Sequence, residues 1–433
     1  MTISLRRNAR WLLLAAFLLA VSFAAGPARA ELDLQRALQQ ARQLDPQNAA
    51  IRAQAEALAQ TAVADAQWQD PSLKLGIANL PTDSFAFDQQ PMTQKVIGIR
   101  QEFPRGNARA LIGERGASAA EAGFASAADQ MLALERDVSI AYLSLAEQLR
   151  VRALLSDNRR WLQQLVDYNR ARLASAQIQS QQLLQSQLAL ARLDDRIAGV
   201  DGEISRARGQ LSRWVGPAAW EPADSTPPAW RNTRDWLAAQ APPLPLAILD
   251  GHPAIAAREA QIAAARADVD LAGEAYKPQF GVDVSYGQRD RTPGSDGADF
   301  ASVMLTFDLP LFRKNRQDRR VAASRARESA AQLARQGLLQ QMHGELNGAV
   351  AMANTLARRR AAYDGELLKQ AESTADAVLQ GYASNTADLD AVIDARMQAI
   401  EAQISAVQLT YSYFRALARI RYFRAESRAM NSK

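Results

Sequence analysis

Gln279-Phe-Gly-Val-Asp-Val-Ser-Tyr-Gly287 alternates without a break: Phe280, Val282, Val284 and Tyr286 share one face, and Gly281, Asp283, Ser285 and Gly287 the other. Period-two alternation of this length predicts a β-strand with one apolar side. A polar stretch, 288–299, leads into a second alternating run, 300–309, which aligns Val303, Leu305, Phe307 and Leu309. The two runs read as a hairpin. An earlier pair has the same form: a strand at 72–80 with Leu73, Leu75 and Ile77 opposite Lys74, Gly76 and Ala78, a loop at 81–92, and a returning strand at 93–103.

Working outward, the flanking prolines show that these hairpins belong to a repeat. Pro46 to Pro71 and Pro253 to Pro278 have identical spacing, and on that alignment Ala49/Ala256, Ala50/Ala257, Ala53/Ala260, Gln54/Gln261 and Ala57/Ala264 coincide. Each segment reads as a short helix with proline in its first turn, where the missing N–H has no partner to lose, and proline just past its end. Beyond the hairpins, Glu102-Phe103-Pro104 matches Asp308-Leu309-Pro310, and Arg105-Gly106-Asn107 matches Arg313-Lys314-Asn315. Alanine-rich helices align by chance at alanines but not at prolines, so we read an internal repeat.

Proline is absent from 105–216 and from 311–433, and both stretches are filled with Ala, Leu, Gln, Arg and Glu. Proline inside a helix costs about 3 kcal/mol, so its absence here permits long uninterrupted helices. At the α-helical rise, 107–175 spans ~103 Å and 315–384 spans ~105 Å. The shorter segments 46–69 and 177–214 together reach ~93 Å, and 253–276 with 386–424 reach ~94 Å. Each repeat is therefore expected to be one long helix beside two shorter ones stacked end to end, a wall of uniform height. Small residues such as Ala322, Ala326, Ala330 and Ala334 let neighbouring helices approach closely.

Composition excludes several function classes. The 433 residues contain no cysteine and two histidines, His252 and His343, so a Cys nucleophile, a Cys-ligated metal, a disulfide scaffold and a His cage are ruled out or improbable. The net charge of +5 falls to +1 once Arg6, Arg7, Arg10 and Arg29 are set aside, which argues against nucleic acid as a partner. Those arginines belong to an export signal at 1–30: a basic start, an apolar run at 11–25, and Ala28-Arg29-Ala30 as the cleavage site. The mature chain is expected to start at Glu31. No catalytic or cofactor motif stands out.

A soluble sheet with one buried face gives the same alternation. Export, and a strand length that matches a tilted membrane strand, favour lipid. Four strands cannot close a barrel, and open edges are not tolerated in hydrocarbon. Several chains must then share one barrel; three copies give twelve strands.

At this point the chain resembles the TolC family of outer-membrane efflux channels along essentially its whole mature length. The twin helix–hairpin–helix repeats carry the resemblance, with two helical turns, Arg172-Leu-Ala-Ser-Ala-Gln-Ile-Gln-Ser-Gln-Gln-Leu-Leu-Gln-Ser-Gln187 and Gly381-Tyr-Ala-Ser-Asn-Thr-Ala-Asp-Leu-Asp-Ala-Val-Ile-Asp-Ala-Arg396. The stretch 83–95, followed by Gln101-Glu-Phe-Pro-Arg-Gly106, looks like the heavy-metal-efflux branch. The resemblance implies a mainly α protein with transmembrane β-structure: long helical hairpins forming an α-barrel tunnel, and four strands per chain in a trimeric twelve-stranded β-barrel. It implies no cofactor and no catalysis. Its expected partners are two further copies of the chain (a homotrimer), a periplasmic adaptor (membrane fusion) protein, an inner-membrane RND-type pump and outer-membrane lipid. Expected domains are the signal at 1–30, a first repeat at 31–216, an equatorial connector at 217–252, a second repeat at 253–426 and a tail at 427–433. The stretch 216–251 holds seven prolines and, with Trp214 just before it, brings four tryptophans (Trp214, Trp220, Trp230, Trp236), which suits a belt around the tunnel.

The resemblance also singles out residues at the periplasmic mouth. Ala176 and Asn385 stand at the hairpin tips, where the family usually has glycine. Tyr382 matches a gating tyrosine and Asp394 a pore-constricting aspartate, whereas Ala387, Ala391 and Gln182 replace the usual latch and constriction residues. Either Asp388, Asp390 and the glutamine cluster Gln179, Gln181 and Gln182 substitute for the missing salt bridges by hydrogen bonds, or Asp388 and Asp390 are first-turn acids at a helix N-terminus. Three functions follow for comparison: an exit duct for heavy-metal cations, a similar duct for drugs or secreted polypeptides, and a periplasmic structural coiled coil.

Overall fold

The computed structural model of the protein describes residues 31–426 except 293 and 295. The expected signal at 1–30 and tail at 427–433 lie outside the described residues. The first helices are α1 (Leu34–Leu44) and α2 (Pro46–Asp65). Asp33 and Asp45 cap them, accepting from the N–H of Arg36 at 2.7 Å and of Gln47 at 3.0 Å. The proline spacing does not announce α1. A hairpin follows, β1 (Ser72–Ala78) and β2 (Gln94–Phe103), and then α3 (Ala108–Ala174) runs for 67 residues without interruption. The chain returns through α4 (Ser180–Val215) into the connector, where α5 (Arg231–Ala238) lies.

The second repeat opens with α6 (Pro253–Glu274), then β3 (Gln279–Gln288) and β4 (Phe300–Asp308). Its long helix differs from the single uninterrupted helix that lack of proline suggests. It consists of α7 (Gln317–Ala362), a π-helical turn at Tyr363–Leu367, and α8 (Leu368–Ala383), before α9 (Leu389–Phe423) returns. Other boundaries move by a few residues for local reasons. The first strand stops at Ala78 because Asn79 takes a positive φ of 54°. The two returning helices start at Ser180 and Leu389, each behind an extended residue, Gln179 and Asp388.

The four strands form one antiparallel sheet in the order β1-β2-β3-β4. Its register places Leu73 opposite Ile99, Ile99 opposite Val284, and Val284 opposite Val303. Directly paired residues point the same way, so the apolar sides of all four strands merge into one face. Leu75, Ile99, Val284, Val303 and Leu305 on that face are all more than half exposed.

Beside the sheet, α3 packs along both α2 and α6. Close approach here depends on glycine: a Cβ on Gly116 would lie 2.5 Å from Ala62 Cβ, and one on Gly123 would lie 2.7 Å from Ala55 Cβ. Further along, α3 packs on α4, and α9 on α7 and α8. The main core sits midway, where Tyr142, Leu143, Leu346, Val350, Leu417 and Ile420 are buried together with Leu211 and Leu249. The connector folds onto this core. Leu32 bridges Ala223, the Tyr142 hydroxyl lies 2.6 Å from the Asp224 carbonyl, and the Tyr411 hydroxyl donates to Ser225. Trp230 and Trp236 lie under the guanidinium groups of Arg421 and Arg424 at 5.0 and 4.3 Å.

Candidate functional site

Both long helices end the same way. Gln177 N–H bonds Arg172 O and Ala176 N–H bonds Leu173 O; Thr386 and Asn385 repeat the pattern on Gly381 and Tyr382. This is the Schellman arrangement, whose penultimate donor sits in the left-handed region and is usually glycine. Ala176 and Asn385 hold that position at φ 57° and 58°. Asparagine tolerates it, while a Cβ without a compensating polar group raises the energy by roughly 1–2 kcal/mol.

Just above the tips, side chains tie the two repeats together. Tyr382, 4% exposed, donates its hydroxyl to Asn169 Oδ1 at 3.0 Å. Burial pushes the tyrosine hydroxyl's pKa up, so it stays a donor. Arg172 donates to Asn385 Oδ1 at 3.0 Å, and its guanidinium lies 5.5 Å from the ring centre of Tyr382 and 5.6 Å from that of Tyr168. Leu165, Leu389 and Val392 close the apolar side of this cluster. Neither Asn169 nor Arg172 carries a sequence signal of its own; each is one polar residue among many on α3.

The other expected mouth residues sit differently. Asp388, Asp390 and Asp394 are exposed, and Gln182 is half-buried. Asp390 accepts from Gln185 at 3.2 Å. Among the described residues no bond joins Asp388 or Asp390 to Gln179, Gln181 or Gln182, because those glutamines lie at the start of α4 and Gln185 lies a turn further on, level with Asp390. Asp388 precedes α9 without capping it through its side chain. Ala387, half-buried, packs against the Tyr382 cluster, and Ala391 is exposed.

At the far end, the sheet's second face is polar. Lys74 on β1 reaches across Gly98 on β2 to Asp283 on β3, Nζ to Oδ2 2.6 Å. Asp283, Gly281 and Gly287 are buried on this side, while Val284 and Tyr286 on the other are about half exposed. The two histidines make ordinary protein contacts. His252 caps α6 through Nδ1 and lies 3.0 Å from Tyr422 O through Nε2; His343 Nε2 lies 2.7 Å from Leu244 O.

The chain thus combines one four-stranded sheet, apolar on one face, with two long helical hairpins that meet in paired tips. Residues 244–423 match the family model described as outer membrane efflux protein, a family of channels and not of enzymes. No curated protein matches the sequence. Solved structures share the fold over nearly the whole chain. A membrane protein from Pseudomonas aeruginosa is 19% identical at a TM-score of 0.73, covering 90% of this chain and 92% of its own. The channel CusC gives 15%, 0.76, 91% and 92%, and the outer membrane protein VceC from Vibrio cholerae gives 17%, 0.71, 90% and 96%. The fold is that of the outer-membrane efflux channels: mostly helical, with a four-stranded contribution to a barrel.

Proposed function

We propose that three copies of this chain form the outer-membrane exit duct of a tripartite efflux system. The observation that carries this reading is the apolar face that runs across all four strands, interrupted on β2 by Gln101, combined with free edges on β1 and β4. Unpaired edges in hydrocarbon cost several kcal/mol per polar group, so the sheet is complete only when β4 of one copy meets β1 of the next. The tips then lie together at the periplasmic end, where an adaptor protein and an inner-membrane RND-type pump would deliver cargo. The duct itself supplies no energy.

Heavy-metal cations are the cargo we favour, supported by the likeness of 83–106 to that branch in sequence. A drug or polypeptide duct has the same wall. Two experiments separate these outcomes. Unboiled gels and membrane fractionation should show a heat-resistant trimer in the outer membrane; a soluble periplasmic product would overturn the duct. A strain lacking the protein should then become sensitive to metal salts, and sensitivity to dyes and detergents alone would transfer the cargo to the drug class.

A further inference from the structure

The two repeats differ at one junction. Where the first passes from strand to helix through Phe103-Pro104-Arg105-Gly106-Asn107, the second has Leu309-Pro310-Leu311-Phe312-Arg313-Lys314-Asn315, so two apolar residues are inserted between the proline and the basic pair. Leu311 and Phe312 are 74% and 84% exposed, the highest values of any large hydrophobic side chain among the described residues. Arg313, Lys314 and Arg316 follow directly, all exposed, and no acid interrupts 309–316. The neighbouring acids are already engaged: Asp308 with Arg105, Glu274 with Lys277, and Asp318 with the Tyr276 hydroxyl.

This segment directly follows β4, whose Val303, Leu305 and Phe307 lie on the sheet's exposed apolar face. Phe103, Phe280 and Phe307 pair across three strands there, with ring centres 5.4 and 6.4 Å apart, and Trp68 meets Phe103 edge-on at 5.6 Å. Arg109 lies over Trp68 at 4.4 Å. A row of aromatics at one level of a lipid-facing sheet marks a membrane–water interface. Apolar side chains followed at once by cations are the pattern that holds to anionic lipid, with the stems in the acyl boundary and the charges among the headgroups.

We propose that 309–316 is a membrane-surface anchor that binds anionic phospholipid headgroups of the periplasmic leaflet, with Leu311 and Phe312 inserted and Arg313, Lys314 and Arg316 on the phosphates. The proposal rests on the barrel reading above, because only a membrane-inserted sheet places this junction at a leaflet. Charge complementarity and continuity with the apolar sheet face select lipid over a second protein.

The test is reconstitution of the full-length trimer into nanodiscs of phosphatidylcholine, with or without phosphatidylglycerol, and a count by native mass spectrometry of the lipids retained on release. The wild-type protein should retain phosphatidylglycerol preferentially. The triple variant R313S/K314S/R316S should bind it about a hundredfold more weakly, given what each surface cation contributes, with phosphatidylcholine retention unchanged. Phe312→Ser should reduce retention of both lipids and leave the trimer intact. Undiminished phosphatidylglycerol preference in the triple variant overturns the anchor. Loss of the trimer in both variants, with lipid retention per chain unchanged, also overturns it and assigns the segment to contact between copies. A wild-type protein that enters neither nanodisc fails at the earlier step and removes the barrel reading itself.

Discussion

Tyr382 and Asn169, 213 positions apart in sequence, share a buried hydrogen bond of 3.0 Å that joins the second repeat to the first beside the tips. Asn169 is fully buried and its Nδ2 has no partner, so the tyrosine satisfies half of an amide that is already short of bonds. Tyr382→Phe leaves the whole amide unpaired and should destabilise the tip by about 1–3 kcal/mol. Adding Asn169→Leu should restore part of that loss. Protease nicking near Ala176 measures both variants, and a double variant no better than the single would show that the bond is not what holds the tips.

Ala176→Gly should work in the opposite direction. It removes a Cβ from a left-handed residue and should raise tip stability by up to ~1 kcal/mol. Asn385→Gly should not help, because it also removes the acceptor for Arg172. Thermal melting of the two variants side by side reads the difference.

On the sheet, Val284→Arg or Leu305→Arg should lower the yield of assembled trimer, at roughly 2–4 kcal/mol per charge near the membrane midplane. Ser302→Arg, on the polar face, should assemble normally. Asp283→Arg lies on that same face but should fail, since it would set two cations side by side where Lys74 and Asp283 now pair. Normal assembly of Val284→Arg would exclude lipid from that face.

Asp394 is exposed on α9, one turn beyond Asp390. If threefold symmetry gathers three copies at one level of the pore, the channel should prefer cations, and Asp394→Ala should weaken that preference, more so at low salt. Reversal potentials in asymmetric salt decide: no shift removes the residue from the pore.

His252 gives the midsection a pH dependence. Burial holds its pKa below the ordinary 6.5, opposed by the Tyr422 carbonyl and by Asp129 at 4.0 Å. The neutral ring is the folded form. Its contribution is therefore complete above about pH 6.5 and is lost as pH falls from there through the lowered folded value. His252→Asn, which keeps a capping side chain and does not titrate, should flatten the acid side of a stability–pH curve.

Much of this architecture was legible because it is written in periods. Alternation at 279–287 sets the face of Val284 whatever surrounds it, and the matched prolines at 46, 71, 253 and 278 bracket one short helix in each repeat. The mouth was less legible. Positions 176 and 385 were recognisable as tips, but Asn169 and Arg172 act through contacts some 213 residues distant, and nothing local distinguishes them from other polar residues on α3. For Asp390 the sequence leaves open hydrogen bonding alongside the glutamine cluster or a place in a helix's first turn; it stands in the first turn of α9, and its partner, Gln185, is set by how α4 and α9 lie side by side.

The π-helical turn at Tyr363–Leu367 looks like a local irregularity, yet it keeps the two repeats in step. On the sheet side of that turn, buried residues of the long helices correspond at a constant offset: Leu134 with Met342, Val138 with Leu346, Tyr142 with Val350. The matched asparagines Asn107 and Asn315 share that offset, but at the tips, Ser175 with Ser384 and Ala176 with Asn385, it is one larger. The second repeat therefore carries one extra residue, and a turn closed by i→i+5 bonds is where a helix can store one without changing which face looks inward. The molecule has absorbed an insertion in the tip-ward part of its second long helix and delivered both hairpins to the same level.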